Sequence, residues 1–219
     1  MISFAALKML TDPYPVGLAT TLMDPVLYDQ MLEVFPPESL FKQMGGDGYV
    51  KLSLSEVNNL SEYRAMIVSH PLWATFHTYV KRVFIRHVFE ALHQHAPAAG
   101  RYSARFEFSS MPAQGGLIKP HTDIASKVVT VIIPIVQPGT WAPAWGGGTD
   151  ILRPKDAGRE LKSYKVDLAE FDKVTTFEFE PNQAVVFVKT DNSWHSVGPM
   201  QGPPGAWRRS LTLNVERSG

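Results

Sequence analysis

Two side chains that could share one metal ion stand two positions apart in the stretch Gly115-Gly116-Leu117-Ile118-Lys119-Pro120-His121-Thr122-Asp123. On an extended strand, residues i and i+2 project from the same face, so the His121 imidazole and the Asp123 carboxylate can aim at one point. Alone the triplet is a weak signal, because His-x-Asp arises easily by chance. Two later stretches belong with it. Asn192-Ser193-Trp194-His195-Ser196-Val197 sets another histidine on a β-prone segment, and Trp207-Arg208-Arg209-Ser210-Leu211-Thr212-Leu213-Asn214 opens a strand with arginines. Two histidines and one carboxylate can hold a metal on one side and leave its other positions open. A following arginine supplies a planar, permanently charged fork that grips a carboxylate through two hydrogen bonds. Strand alternation lets only one of Arg208 and Arg209 point inward.

These residues need a scaffold, and the second half of the chain reads as one. From Arg101 to Ser109 apolar and polar residues alternate, with Tyr102, Ala104, Phe106 and Phe108 on one face and Arg105 and Glu107 on the other. Val128 to Val136 is β-branched almost throughout, as in a strand covered on both faces. Further short strands are expected at 149–152, 175–179, 184–189, 193–197 and 210–215, set apart by glycine and proline turns. Short strands in this number argue for a sandwich or jelly roll, two sheets closed over an apolar interior. The segment from Arg153 to Val174 is polar and aperiodic, which reads either as a solvated loop or as a lid. Lys127, Thr149 and the tryptophans 141, 145 and 194 are candidates for a pocket wall, with packing in the core or at its rim as the plain alternative.

The first hundred residues read as a mainly helical buttress. Asp24-Pro25 opens a helix that Pro36-Pro37 stops, and Gly45-Gly46-Asp47-Gly48 reads as a flexible link. A second helix is expected from Ser61. A third, from Ser69 to about His95, carries Trp73, Phe76, Val80, Val83, Phe84, Val88 and Leu92 at helical steps. His93 and His95 point apart on such a helix and are not expected to share a metal.

Composition excludes several classes. The 219 residues suit one domain, 1–219, with helical support over 1–100 and a β core over 101–219. With 21 basic and 21 acidic residues there is no electropositive field for nucleic acid, and no polybasic membrane anchor. The absence of cysteine excludes disulfides, thiolate-zinc sites and cysteine nucleophiles. Met1 to Leu10 lacks a secretory apolar region, so a cytoplasmic location is expected. The sequence gives no reading of oligomeric state.

Pro120-His121-Thr122-Asp123, Gly146-Gly147-Gly148-Thr149, Trp194-His195-Ser196-Val197 and Arg208-Arg209-Ser210-Leu211 together resemble the Fe(II)- and 2-oxoglutarate-dependent dioxygenases, near their prolyl-4-hydroxylase-like branch. The resemblance runs in the family's order from about Tyr102 to Val215. It implies a double-stranded β-helix of jelly-roll or cupin type. It further implies iron held by His121, Asp123 and His195, and the distal carboxylate of 2-oxoglutarate held by Arg208 with Ser210. Dioxygen would be the oxidant, and a small molecule or peptide side chain would be hydroxylated with release of succinate and carbon dioxide. Asp123 argues against the family's halogenase variant. A polar residue that the family places on an early core strand has no counterpart among Phe106, Phe108, Tyr102 and Arg105, so that contact stays unassigned. Two other functions fit the same residues: a cupin-type metal enzyme without 2-oxoglutarate, and a jelly-roll binding protein without catalysis.

Overall fold

The computed structural model describes residues 1–46, 49–156 and 158–218. The N-terminal part runs β1 (Leu7–Leu10), β2 (Val16–Thr20), α1 (Pro25–Glu33), β3 (Lys42–Gly46), β4 (Tyr49–Ser55), α2 (Leu60–Ser69), α3 (Pro71–Arg82) and α4 (Phe84–Leu92). Then follow β5 (Tyr102–Pro112), β6 (Ile118–His121), β7 (Lys127–Pro134), β8 (Thr149–Pro154), β9 (Phe171–Phe177), β10 (Gln183–Val188), β11 (His195–Val197) and β12 (Trp207–Arg217). Pairing is antiparallel throughout, in the order β1-β2-β10-β7-β12-β5-β4-β6-β11-β8-β9, with β3 beside β4. The path bends at β4–β6, where a single residue pair joins them. The four-strand run β6-β11-β8-β9 thereby faces the longer run, which gives the two layers of a jelly roll.

The two faces of the longer layer are both covered, by different things. Toward the helices go Phe106, Phe108, Val129, Val131, Leu211 and Leu213, all fully buried against Trp73, Phe76, Val80, Phe84 and Val88. Trp73 anchors that layer: its ring meets Phe108 edge-on at 4.7 Å, and its Nε1 donates to the Val34 carbonyl at 2.8 Å. Burying each such side chain contributes about 1.5–3 kcal/mol. Toward the inside of the jelly roll, Val16, Val185 and Phe187 pack on Ile151 of the facing layer and close one end. The other end stays polar, and the site lies there.

One local expectation is met and two are corrected. Asp24 caps α1, its carboxylate accepting from the Val26 and Leu27 amides at 3.0 and 3.4 Å. The long helix expected over 69–95 is instead two, parted at Val83, where φ of −124° leaves helical geometry; His93–His95 is a short 3-10 turn. The apolar stripe runs through the break because both pieces lie on the same sheet. Gly45 and Gly46, read as a flexible link, belong to β3 and pair with β4; Asp47 and Gly48 lie outside the described residues. Strands β1 to β4 add to the helices expected in this half. Among the described residues no helix is long and apolar enough to cross a membrane.

Arg209 shows how the outer face is held. Its Nε and Nη2 donate to Glu38 Oε1 and Oε2 at 2.6 and 2.8 Å, and Ser110 Oγ adds a bond at 3.1 Å. Burial would raise the Glu38 pKa, but the Arg209 guanidinium outweighs it and holds the carboxyl below its ordinary value. The unfolded chain then binds the proton more readily. The contribution is complete above the ordinary carboxyl pKa and is lost as pH falls through the lowered one. Glu38→Gln should cost about 1 kcal/mol in neutral urea melts, a figure discounted for partial exposure. The difference from the parent should close in acid; a difference that persists there contradicts this account.

Candidate metal and co-substrate site

β6 and β11 pair so that His121 and His195 stand directly opposite each other, a position in which both side chains share a face. Their rings lie 4.1 Å apart between centroids. Asp123 lies two residues past the end of β6. The ligand-capable atoms of His121, Asp123 and His195 all fall within 4.8 Å of one another. The i, i+2 geometry expected from the sequence therefore brings the pair together, and the β6–β11 ladder delivers the third residue.

Each member is oriented by a neighbour. His121 Nδ1 lies 3.0 Å from the Lys119 carbonyl, and His195 Nδ1 lies 3.0 Å from that of Ser193. A carbonyl accepts only, so each Nδ1 carries the proton and each Nε2 keeps a lone pair for a metal. Burial lowers both imidazole pKa values, that of His121 far below the ordinary range with the nearby His195 adding to it. Both rings are thus neutral at neutral pH, the form that binds metal. Asp123 accepts from Lys127 Nζ at 2.9 Å on one oxygen and from Thr130 Oγ1 at 2.7 Å on the other. Burial works against its charge, but Lys127 prevails and holds the carboxyl well below its usual value. Phe187 packs 4.5 Å from His195 on the inner side, and Tyr14 Oη donates to the Trp194 carbonyl at 2.9 Å, fixing the approach to β11.

A cavity of about 170 Å³ runs from this triad along β12 to Arg208, past Thr212 and Ser210. Arg208 is only 5% exposed. Its Nε donates to the Gly147 carbonyl at 2.5 Å, and its guanidinium lies 4.6 Å above the Phe179 ring. Gly147 can approach this closely because it has φ of +90° and no Cβ; a Cβ there would meet Trp141 at 3.0 Å. No carboxylate pairs with Arg208 among the described residues, and burial brings its pKa down to about 10. A buried cation of this kind is costly until an anion joins it. Arg209 points the other way, as strand alternation requires.

The structure also brings in residues that pattern reading passed over. Glu107 and Ser109 of β5, and Lys51 and Ser53 of β4, line the same cavity. The alternation on β5 set Glu107 on the face away from Phe106 and Phe108, and that face lines the cavity. Arg105 pairs with Glu216 at 2.7 Å and Tyr102 bonds the Ala98 carbonyl, so neither lines the cavity. The segment after β8 comes back over the triad. Ser163 Oγ accepts from the Thr122 amide at 3.0 Å, and the Tyr164 amide donates to the Pro120 carbonyl at 2.9 Å. The Tyr164 ring stacks on His121 at 4.5 Å with an 18° interplanar angle. Lys127 and Thr149 line the cavity as expected. Trp194 packs in a small core with Leu152, Val166 and Phe171, and Trp145 meets Trp141 edge-on at 5.3 Å, so none of the three is part of the cavity wall.

No family model and no curated protein matches the sequence. Solved structures do match the fold. A Pseudomonas putida prolyl-4-hydroxylase aligns at 14% identity with a TM-score of 0.60, over 93% of each chain. A Trichoplax adhaerens prolyl hydroxylase, in complex with a hypoxia inducible factor oxygen degradation domain peptide fragment, aligns at 13% identity and a TM-score of 0.57, over 92% of this chain and 83% of that one. The epimerase SnoN of nogalamycin biosynthesis, in complex with Fe3+, alpha ketoglutarate and nogalamycin RO, aligns at 12% identity and a TM-score of 0.55, over 92% and 78%. At such identities the likeness is one of fold: a jelly roll flanked by helices, as in these proteins.

Proposed function

We propose that the chain is a non-haem Fe(II)- and 2-oxoglutarate-dependent oxygenase that hydroxylates an unactivated C–H bond of a small molecule or peptide side chain. The observation that carries this reading is the buried Arg208, without a carboxylate partner, in one cavity with three convergent metal-ligand side chains. A metal enzyme of cupin type without 2-oxoglutarate would leave that cation unexplained. Solved proteins of the same fold include one in complex with iron and alpha ketoglutarate.

In this reading His121, Asp123 and His195 hold the iron, and Arg208 holds the distal carboxylate of 2-oxoglutarate with Ser210 beside it. When bound, the iron supplies the oxidative chemistry, in which 2-oxoglutarate and dioxygen yield succinate, carbon dioxide and a hydroxylated product. The chain positions and shields. The Lys119 and Ser193 carbonyls keep both Nε2 atoms aimed inward, while Lys127 and Thr130 fix the Asp123 carboxylate. Phe187 and Ile132 line the inner side with apolar surface, and the segment 158–170 covers the triad through Ser163 and Tyr164. Within one domain, residues 1–100 act as mainly helical support for a catalytic core over 101–219, to whose cavity wall β4 adds Lys51 and Ser53.

Succinate release tests the reading. The purified protein under air should turn 2-oxoglutarate into succinate only with Fe(II) present, and a chelator should stop it. Stoichiometric iron binding with 2-oxoglutarate left intact would favour the cupin-type reading.

A further inference from the structure

Opposite the triad the cavity wall carries charge that neither iron nor 2-oxoglutarate explains. Lys51 of β4 and Glu107 of β5 form an ion pair there, their side chains 22% and 11% exposed. Placing such a pair inside a sheet costs desolvation that its mutual attraction scarcely returns, and apolar residues of like volume commonly serve stability as well or better. The other end of the same interior is filled in that way, by Val16, Ile151, Val185 and Phe187. An ion pair at the metal end is therefore better explained by a ligand than by stability.

The charges around the cavity say which ligand. Three cations line it, Lys51, Lys127 and Arg208, against two carboxylates, Asp123 and Glu107. Fe(II) and the 2-oxoglutarate dianion cancel one another, so one positive charge is left over in a largely buried space. Lys127 is ion-paired with Asp123, one of the three metal-ligand side chains, and Arg208 goes to the co-substrate; Lys51, ion-paired with Glu107 and bonded to none of those three, is the cation best placed to take a further anion. Glu107 is the only partner of its ammonium among the described residues, and an ammonium has three donors to give.

We propose that the substrate is a small, free carboxylic acid whose carboxylate docks on Lys51, with Glu107 as a positioning residue that holds the ammonium toward the cavity. This rests on the oxygenase reading for the charges of iron and co-substrate. A residue inside a peptide has both main-chain ends tied up in amides and, unless it is acidic, brings no carboxylate.

Ligand-observed NMR on the full chain tests this, with free α-amino and hydroxy acids, their matching primary amides and blocked peptides as probes. At least one free acid should bind, and its amide about ten- to a hundredfold more weakly, as for losing a charge-assisted hydrogen bond. Lys51→Met should erase the difference between acid and amide while leaving 2-oxoglutarate affinity unchanged; Lys51→Arg should keep much of it. Lys51→Gln, which keeps donors without charge, is the second variant should the methionine variant misfold. The proposal is overturned if acid and amide bind alike, if no free acid binds, or if a blocked peptide binds better than every free acid. Loss of 2-oxoglutarate rather than acid in Lys51→Met also overturns it, assigning Lys51 to the co-substrate. The probes are read with 2-oxoglutarate at saturation, so that Arg208 is occupied, and the readout needs no turnover. Failure of the oxygenase reading would appear separately, as succinate never formed.

Discussion

His195→Ala should weaken Fe(II) binding by at least about a hundredfold, more than the ten- to hundredfold that follows loss of a partner behind a ligand. The reason lies in how narrowly the site is built. His121 and His195 face each other across the β6–β11 ladder, and each has its Nδ1 on a backbone carbonyl two residues back. No fourth histidine, cysteine or acidic group joins them within metal-holding distance among the described residues, so the lost ligand has no substitute. Thr130→Val is the graded companion. It removes only the hydroxyl that donates to Asp123 at 2.7 Å, and should cost about ten- to a hundredfold while the triad stays intact. Calorimetric titration with Fe(II) under argon measures both. Equal affinity in parent and His195→Ala would mean that the three residues are not the ligands.

Arg208→Met should raise the dissociation constant for 2-oxoglutarate by about a hundredfold, near the low end of the 2–5 kcal/mol for breaking a buried, hydrogen-bonded charge pair. Iron affinity should stay as in the parent, because the Arg208 guanidinium has its contacts at Gly147 and Phe179, not at the triad. The same substitution should leave the protein without ligand slightly more stable, by about 1 kcal/mol, since it removes a buried charge that lacks a counter-ion. The thermal upshift that 2-oxoglutarate gives the parent should vanish in the variant. Melting curves with and without 2-oxoglutarate read both effects. An unchanged ligand shift in Arg208→Met would remove Arg208 from the co-substrate site. Destabilisation without ligand would show that Arg208 serves packing instead.

Part of the triad was legible locally: His121 and Asp123 stand two positions apart, His195 lies in a β-prone stretch, and the choice between Arg208 and Arg209 follows from a strand's period of two. The meeting of His195 with His121 is a long-range β6–β11 pairing, and Asp123 joins them from just beyond the end of β6. Lys51, Glu107 and Tyr164 were not legible, for three physical reasons. Lys51 lies on β4, whose place beside β5 is a long-range pairing that no local pattern announces. Glu107 alternates with Phe106 and Phe108, and alternation tells which residues share a face but not whether the polar face meets water or a cavity. Tyr164 sits in an aperiodic segment, and its stacking on His121 depends on where that segment returns. The break at Val83 was hidden because one apolar stripe serves both α3 and α4. Strands β1 and β2 escaped because they are short, and β2, on which β1 pairs, joins the sheet through β10, far along the chain.

The most direct measurement is an anaerobic titration of the purified protein with Fe(II) and then 2-oxoglutarate, watched for the visible charge-transfer band of iron with its co-substrate. The account expects a band that needs both additions, is absent in His195→Ala, and in Arg208→Met appears only at much higher 2-oxoglutarate. Iron bound without a band at any 2-oxoglutarate concentration, or a band unaffected by either substitution, would contradict it.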